Sequence, residues 1–123
     1  MMQPKSPKWL DDVSKESTFI IDETAGIGFA DYVGDGRLRR AVERSFLIIG
    51  EALQRLDRTD PPTAASISGL RKIVGFRNRL VHGYYATDHE QGWAIIHDFA
   101  PRLHVEVDAL VRMAERDLAD SDD

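Results

Sequence analysis

The 123-residue chain has no cysteine, which excludes a disulfide framework, thiolate catalysis and cysteine metal sites, and fits a reducing compartment. It also lacks a long apolar run. The longest aliphatic stretch, Leu47-Ile48-Ile49, falls far short of the roughly 20 residues that span a bilayer. The N-terminus has no apolar core of the kind a signal peptide carries. A soluble, cytoplasmic protein with no membrane partner is therefore expected. There is no Gly-x-Gly-x-x-Gly and no Walker loop, so no cofactor is expected. No His-Glu-x-x-His run or i, i+4 histidine pair exists among His82, His89, His97 and His104, so no metal site is expected either. Basic charge is in deficit: the net charge of −5 argues against broad coating by nucleic acid and confines any such contact to a local patch. Carboxylates, abundant elsewhere, are missing from one window. Between Asp60 and Asp88 there is none, while Arg71, Lys72, Arg77 and Arg79 all fall inside.

What is present is helical periodicity, without strand alternation or internal repeats. The length suits one domain with a single core. Residues 1–9, with two prolines and two lysines, form an irregular lead-in, residues 10–118 the domain, and residues 119–123 an acidic tail. The spacing predicts a first helix over 10–24, stopped by Gly26, and then an aromatic connector at 28–33. A second helix is capped by Asp35 and carries Leu38, Val42, Phe46, Ile49, Leu53 and Leu56 at intervals of three and four. At its centre Phe46, Leu47, Ile48 and Ile49 cover nearly every azimuth, so it needs a second burying surface, which another subunit can supply. Gly50 in that helix costs about 1 kcal/mol relative to Ala and implies close approach by a neighbour. Pro61 and Pro62 end the helix, and a third begins at Thr63 or Ser66. After it, Thr87 and Glu90 read as a capping box for a fourth helix, which Pro101 kinks or restarts. The expected fold is all-α: an antiparallel bundle of four to five helices with no sheet.

The third helix carries the chemistry. Its apolar stripe, Ile67, Leu70, Ile73, Val74, Leu80 and Val81, includes Arg77 where packing would ask for Leu. A charge there is costly unless paired. Two readings fit it: a structural Arg bonded to a buried carboxylate, for which Glu51 is the candidate, or to helix-end carbonyls; or an Arg that awaits a phosphate, which guanidinium grips in bidentate fashion. Glu51 is otherwise an ordinary surface carboxylate. His82 follows at the helix end, before Gly83, a natural left-handed C-cap. It is either a cation favoured by the helix dipole or an acid–base group. Five residues place it about 140° from Arg77 on an ideal helix, so the turn at Gly83 or a second copy of the chain decides whether the two share a cavity. Tyr84 is either a packed anchor or a functional hydroxyl. Arg71, Lys72 and Arg79 are solvated charges or a local site for RNA phosphates. His89, His97 and His104 read as surface or partly buried histidines, and Trp93 as core.

Arg77, four residues, His82, one residue, Tyr84 resembles the Arg-x4-His-x-Tyr motif of the HepT toxins, a branch of the HEPN superfamily of small helical ribonucleases. Gly69-Leu70-Arg71, Ile49-Gly50-Glu51-Ala52 and Trp93-Ala94-Ile95-Ile96 are similar to that branch as well, and the similarity runs from about Leu10 to Leu110. Asn78 fits the polar position after the Arg. One departure is Ala64-Ala65-Ser66-Ile67-Ser68, where family members often have a Pro-Trp pair. The resemblance implies a metal-independent endoribonuclease, with Arg77 and His82 catalytic and Asn78 supporting, working as a homodimer and as the toxin of a toxin–antitoxin pair. It also implies an MntA-like nucleotidyltransferase antitoxin that adenylylates Tyr84, with Tyr85 as the adjacent alternative. The other reading is a catalytically silent helical module that binds the nucleotidyltransferase or a nucleotide through the same Arg77 and His82.

Overall fold

A computed structural model describes residues 1–83 and 88–121. These form seven helices and no strand: α1 (Ser6–Thr24), α2 (Phe29–Gly34), α3 (Gly36–Thr59), α4 (Pro61–Ala64), α5 (Leu70–Val81), α6 (His89–Asp98) and α7 (Ala100–Ser121). The all-α expectation agrees with this, but the count of four to five helices does not. Three features of the chain account for the difference. The 28–33 connector folds into α2, whose first turn is closed by the Asp31 carboxylate accepting from the Gly28 N–H at 2.9 Å. Pro61 and Pro62 do end α3, but Pro61 also fits the first turn of a helix, where its missing N–H costs nothing, so α4 starts at once with Asp60 as its N-cap. Pro101 likewise sits in the first turn of α7, and of the expected kink or restart the chain takes the restart, after Phe99.

Other boundaries move by a few residues. α1 begins at Ser6 rather than at Leu10, and α7 runs to Ser121. The motif helix starts at Leu70, later than expected, because Gly69 adopts a left-handed φ of 76°. A Cβ at Gly69 would lie 2.4 Å from the Phe99 ring, so both backbone and space there require glycine. Asp35 caps α3 as expected, accepting from the Leu38 N–H at 3.1 Å. The expected Thr87 cap lies outside the described residues; the N-cap of α6 is Asp88, whose carboxylate accepts from the Gln91 N–H at 2.9 Å.

α3 is the central element. It packs against both α1 and α5, and α7 packs against α1. Cross-links fix α1 antiparallel to α3: Ser45 Oγ donates to Glu16 at 2.8 Å near the middle of both helices, and Ser6 Oγ at the start of α1 donates to Asp60, just past the end of α3, at 2.8 Å. The core joins Leu10, Val13 and Ile20 of α1 to Phe46, Ile49 and Leu53 of α3, Ile73 and Phe76 of α5, and Leu103 and Val107 of α7. Phe46 and Phe76 meet edge to face, with centroids 5.3 Å apart. Among the described residues no helix is long and apolar enough to cross a membrane.

Candidate active site

The crossing of α3 and α5 places Arg77. Gly50 provides the room: a Cβ there would stand 2.3 Å from Arg77 Cβ and 2.4 Å from its Cγ. The neighbour that the mid-helix glycine implied is therefore the stem of Arg77 itself. With its stem against α3 the side chain is half-buried. Nη1 donates to Asn78 Oδ1 at 3.1 Å, while Nε is buried without a hydrogen-bond partner among the described residues. An unsatisfied buried N–H on a charged group costs about 1–3 kcal/mol or more, and such a group calls for an explanation. An anionic oxygen approaching Nε and Nη removes the penalty.

Glu51 does not serve as the counter-ion. It is exposed and accepts from Arg55 Nη2 at 2.9 Å, one turn along the same helix. Arg77 meets α3 at Gly50, and the next residue projects about 100° away around the helix. A helical i, i+4 pair between Glu51 and Arg55 costs less than reaching around α3. Neither half of the structural reading of Arg77, a buried carboxylate or a helix-end carbonyl, is found at its guanidinium among the described residues.

His82 is the C-cap residue of α5 and is exposed. Its N–H donates to the Asn78 carbonyl at 3.1 Å, and Gly83, at φ 81°, closes the helix with an N–H to the Leu80 carbonyl at 3.2 Å. Asn78 thus touches both ends of the motif, its side chain on Arg77 and its backbone under His82. Arg71, Lys72 and Arg79 are exposed on the outer side of α5. Lys72 lies about 140° and Arg79 about 160° from Arg77 around the helix, so they do not line its cleft. Tyr84 and Tyr85 lie outside the described residues.

The other histidines have local roles. His104 Nδ1 sits 3.2 Å from Ser17 Oγ, and His97 packs edge-on against Trp93 at 4.2 Å. Trp93 is half-buried against Tyr32 at 5.3 Å and Phe29 at 6.1 Å. Tyr32, inside this cluster, has its hydroxyl pushed up to about 12 by burial, with Glu43 adding to the effect and Arg39 opposing it. Among the described residues no three His, Asp or Glu side chains converge as a metal site would require. The periodicity pointed to Arg77 and its close neighbour; the orphaned Nε and the role of Asn78 needed coordinates.

The family described as "Ribonuclease HepT-like" matches residues 14–110. A protein named as an RNase in Caldanaerobacter subterraneus subsp. tengcongensis is 31% identical over 109 residues, covering 88% of this chain and 96% of that one. One named as an RNase in Methanocaldococcus jannaschii is 27% identical, covering 81% and 91%. A protein named as ribonuclease HepT in Thermococcus cleftensis is 26% identical, covering 83% and 92%. No solved structure gives a significant match. With its motif helix, its all-α frame and a family match across most of its length, the chain belongs to the HepT-like ribonuclease family.

Proposed function

We propose that the protein is a metal-independent endoribonuclease, the toxin of a toxin–antitoxin pair, with Arg77 and His82 as its catalytic residues. The observation that carries this reading is the Nε of Arg77, buried beside Asn78 without a hydrogen-bond partner among the described residues. A half-buried guanidinium with an unsatisfied donor binds a phosphodiester through two non-bridging oxygens. His82 takes the proton from the ribose 2′-hydroxyl, whose oxygen then attacks phosphorus. Arg77 stabilises the charge gathering on the phosphorane oxygens. As the P–O5′ bond breaks, an acid protonates the leaving oxygen, giving a 2′,3′-cyclic phosphate and a 5′-hydroxyl. A homodimer brings the partner subunit's His82 to the same cleft as that acid. A dimer is supported by Leu47, left half-buried on α3, and by Val81 of α5, which is 54% exposed.

The nucleotidyltransferase antitoxin transfers adenylate from ATP to Tyr84: the phenol oxygen bonds to the α-phosphorus, its proton is lost and pyrophosphate leaves. The modification adds bulk and negative charge two residues from His82, blocking RNA and competing for Arg77. The test is cleavage of total RNA by purified protein in excess EDTA, with Arg77→Ala and His82→Ala alongside. Cleavage that survives chelation and is lost in both folded variants is expected. A folded wild type, shown by mass spectrometry to be unmodified at Tyr84, that leaves RNA intact would favour the catalytically silent module.

A further inference from the structure

Two hollows meet at Trp9, where the start of α1 lies against the second half of α3. The larger, 460 Å³, is lined in part by Lys5, Trp9, Arg55 and Arg58; the smaller shares Trp9 and Arg55 and adds Lys8. The larger falls within the roughly 300–1,000 Å³ of small-molecule clefts. Lys5, Lys8, Arg55 and Arg58 are all exposed. Only two carboxylates line the hollows, Asp12 and Glu51, and Glu51 is engaged by Arg55. Among the described residues Lys5, Lys8 and Arg58 make no ion pair. A protein of net charge −5 thus keeps a second cationic patch, with an indole at its centre. Trp9 is half-buried and packed against the core, which holds its ring still.

We infer that the Trp9 groove is a single-strand RNA subsite, in which the indole stacks on a base while Lys5, Lys8, Arg55 and Arg58 hold the flanking phosphates. This rests on the ribonuclease reading and extends it to substrate binding away from the scissile bond. An aromatic platform set among cations is how single strands are held without sequence readout. Its position fits: Arg58 stands eight residues from Gly50, about 12 Å along the helix that Arg77 crosses.

The test uses Trp93→Phe protein, in which Trp9 is the remaining tryptophan of the chain's two, and a short 2′-O-methyl oligouridylate, which cannot be cleaved by 2′-attack. Saturable quenching of Trp9 fluorescence is expected. Trp9→Ala, read by fluorescence anisotropy of the end-labelled oligonucleotide because the protein then has no tryptophan, should weaken binding about 10-fold, in keeping with the loss of one base stack. Lys5→Ala and Arg58→Ala, exposed changes that spare the core, should each lower the slope of log K against log salt by about 0.7. They keep the test decisive if Trp9→Ala fails to fold. Unchanged Trp9 emission at saturation, an unchanged salt slope, or displacement by polyglutamate as effective as by RNA would overturn the subsite. Cleavage of unmodified RNA is measured on the same protein. Cleavage with a flat Trp9 response removes the subsite alone, whereas neither binding nor cleavage removes the ribonuclease reading as well.

Discussion

At the scale of single residues, Gly50 and Arg77 form one device. Gly50→Ala should gain about 1 kcal/mol in helix propensity, yet its Cβ would fall 2.3 Å and 2.4 Å from Arg77 Cβ and Cγ. Cγ can rotate away, but Cβ is fixed to the α5 backbone, so α5 must shift. Overpacking of this kind costs about 1–3 kcal/mol. Gly50→Ala is therefore expected to lower the urea midpoint and to reduce cleavage by moving the guanidinium. A raised midpoint would mean that the helices separate freely and that the close crossing is unimportant. A second prediction concerns the orphaned donor. Arg77→Lys keeps the charge but loses Nε and the planar fork, so RNA cleavage should fall on the order of 10²-fold, close to the loss in Arg77→Ala. Activity within a few-fold of wild type would reduce Arg77 to a point charge. The sequence exposed Arg77 as a cation inside an apolar stripe and Gly50 as a costly residue awaiting a neighbour. It did not link them, because residues 27 positions apart meet only once the crossing of two helices is known. The assignment of Glu51 to Arg77 failed for the same reason: the azimuth at which Arg77 arrives decides against it.

At the scale of elements, the junction of α3, α4 and the N-terminus turns on Asp60. Its buried carboxylate accepts from Ser6 Oγ at 2.8 Å, Thr63 Oγ1 at 2.8 Å and the Gln3 N–H at 3.1 Å. Burial pushes the carboxyl up, but the bonds from Ser6, Thr63 and Gln3 outweigh it, so its pKa lies below the ordinary 3.8. A carboxyl depressed in the folded state adds stability that is complete above its unfolded pKa and lost as pH falls through the folded value. Asp60→Asn should therefore cost about 1.5–3 kcal/mol at neutral pH, the range for hydrogen bonds to a charged group. In urea titrations the gap from wild type should shrink below about pH 4; a gap independent of pH would show that charge is not what these donors recognise. Glu43 has the opposite sign. Burial raises its carboxyl, against the pull of Arg39 and Arg40, so its contribution is lost as pH rises through the folded value. Glu43→Gln should raise the urea midpoint at neutral pH and give up that gain in acid; the reverse order would refute the burial account. None of this junction was legible in sequence. Asp60 and the two prolines read simply as a terminator, because a proline that stops one helix and a proline that starts the next look alike until the chain direction is known.

At the scale of the whole molecule, the long amphipathic helices were legible because hydrophobic period alone specifies them. The short α2 and α4 were not, since a few residues carry too little period to register. The run Phe46-Leu47-Ile48-Ile49 read as apolar all round, and the fold divides it: Phe46 and Ile49 are buried, whereas Leu47 and Ile48 remain half-buried on the outer side of α3. Val81 is 54% exposed on α5, with Val74 half-buried one heptad before it. Leu47, Val74 and Val81 lie on the two helices that hold Arg77, and a second copy placed there would bury them and bring a second His82 toward the cleft. Val81→Lys should convert a dimer to a monomer in sedimentation velocity, with helical circular dichroism retained because that side chain is 54% exposed. Cleavage should fall with the dimer. A folded monomer that cuts RNA at the wild-type rate would place the acid, the base and Arg77 in one subunit, and the proton for the leaving oxygen would then have to come from another group of the same chain.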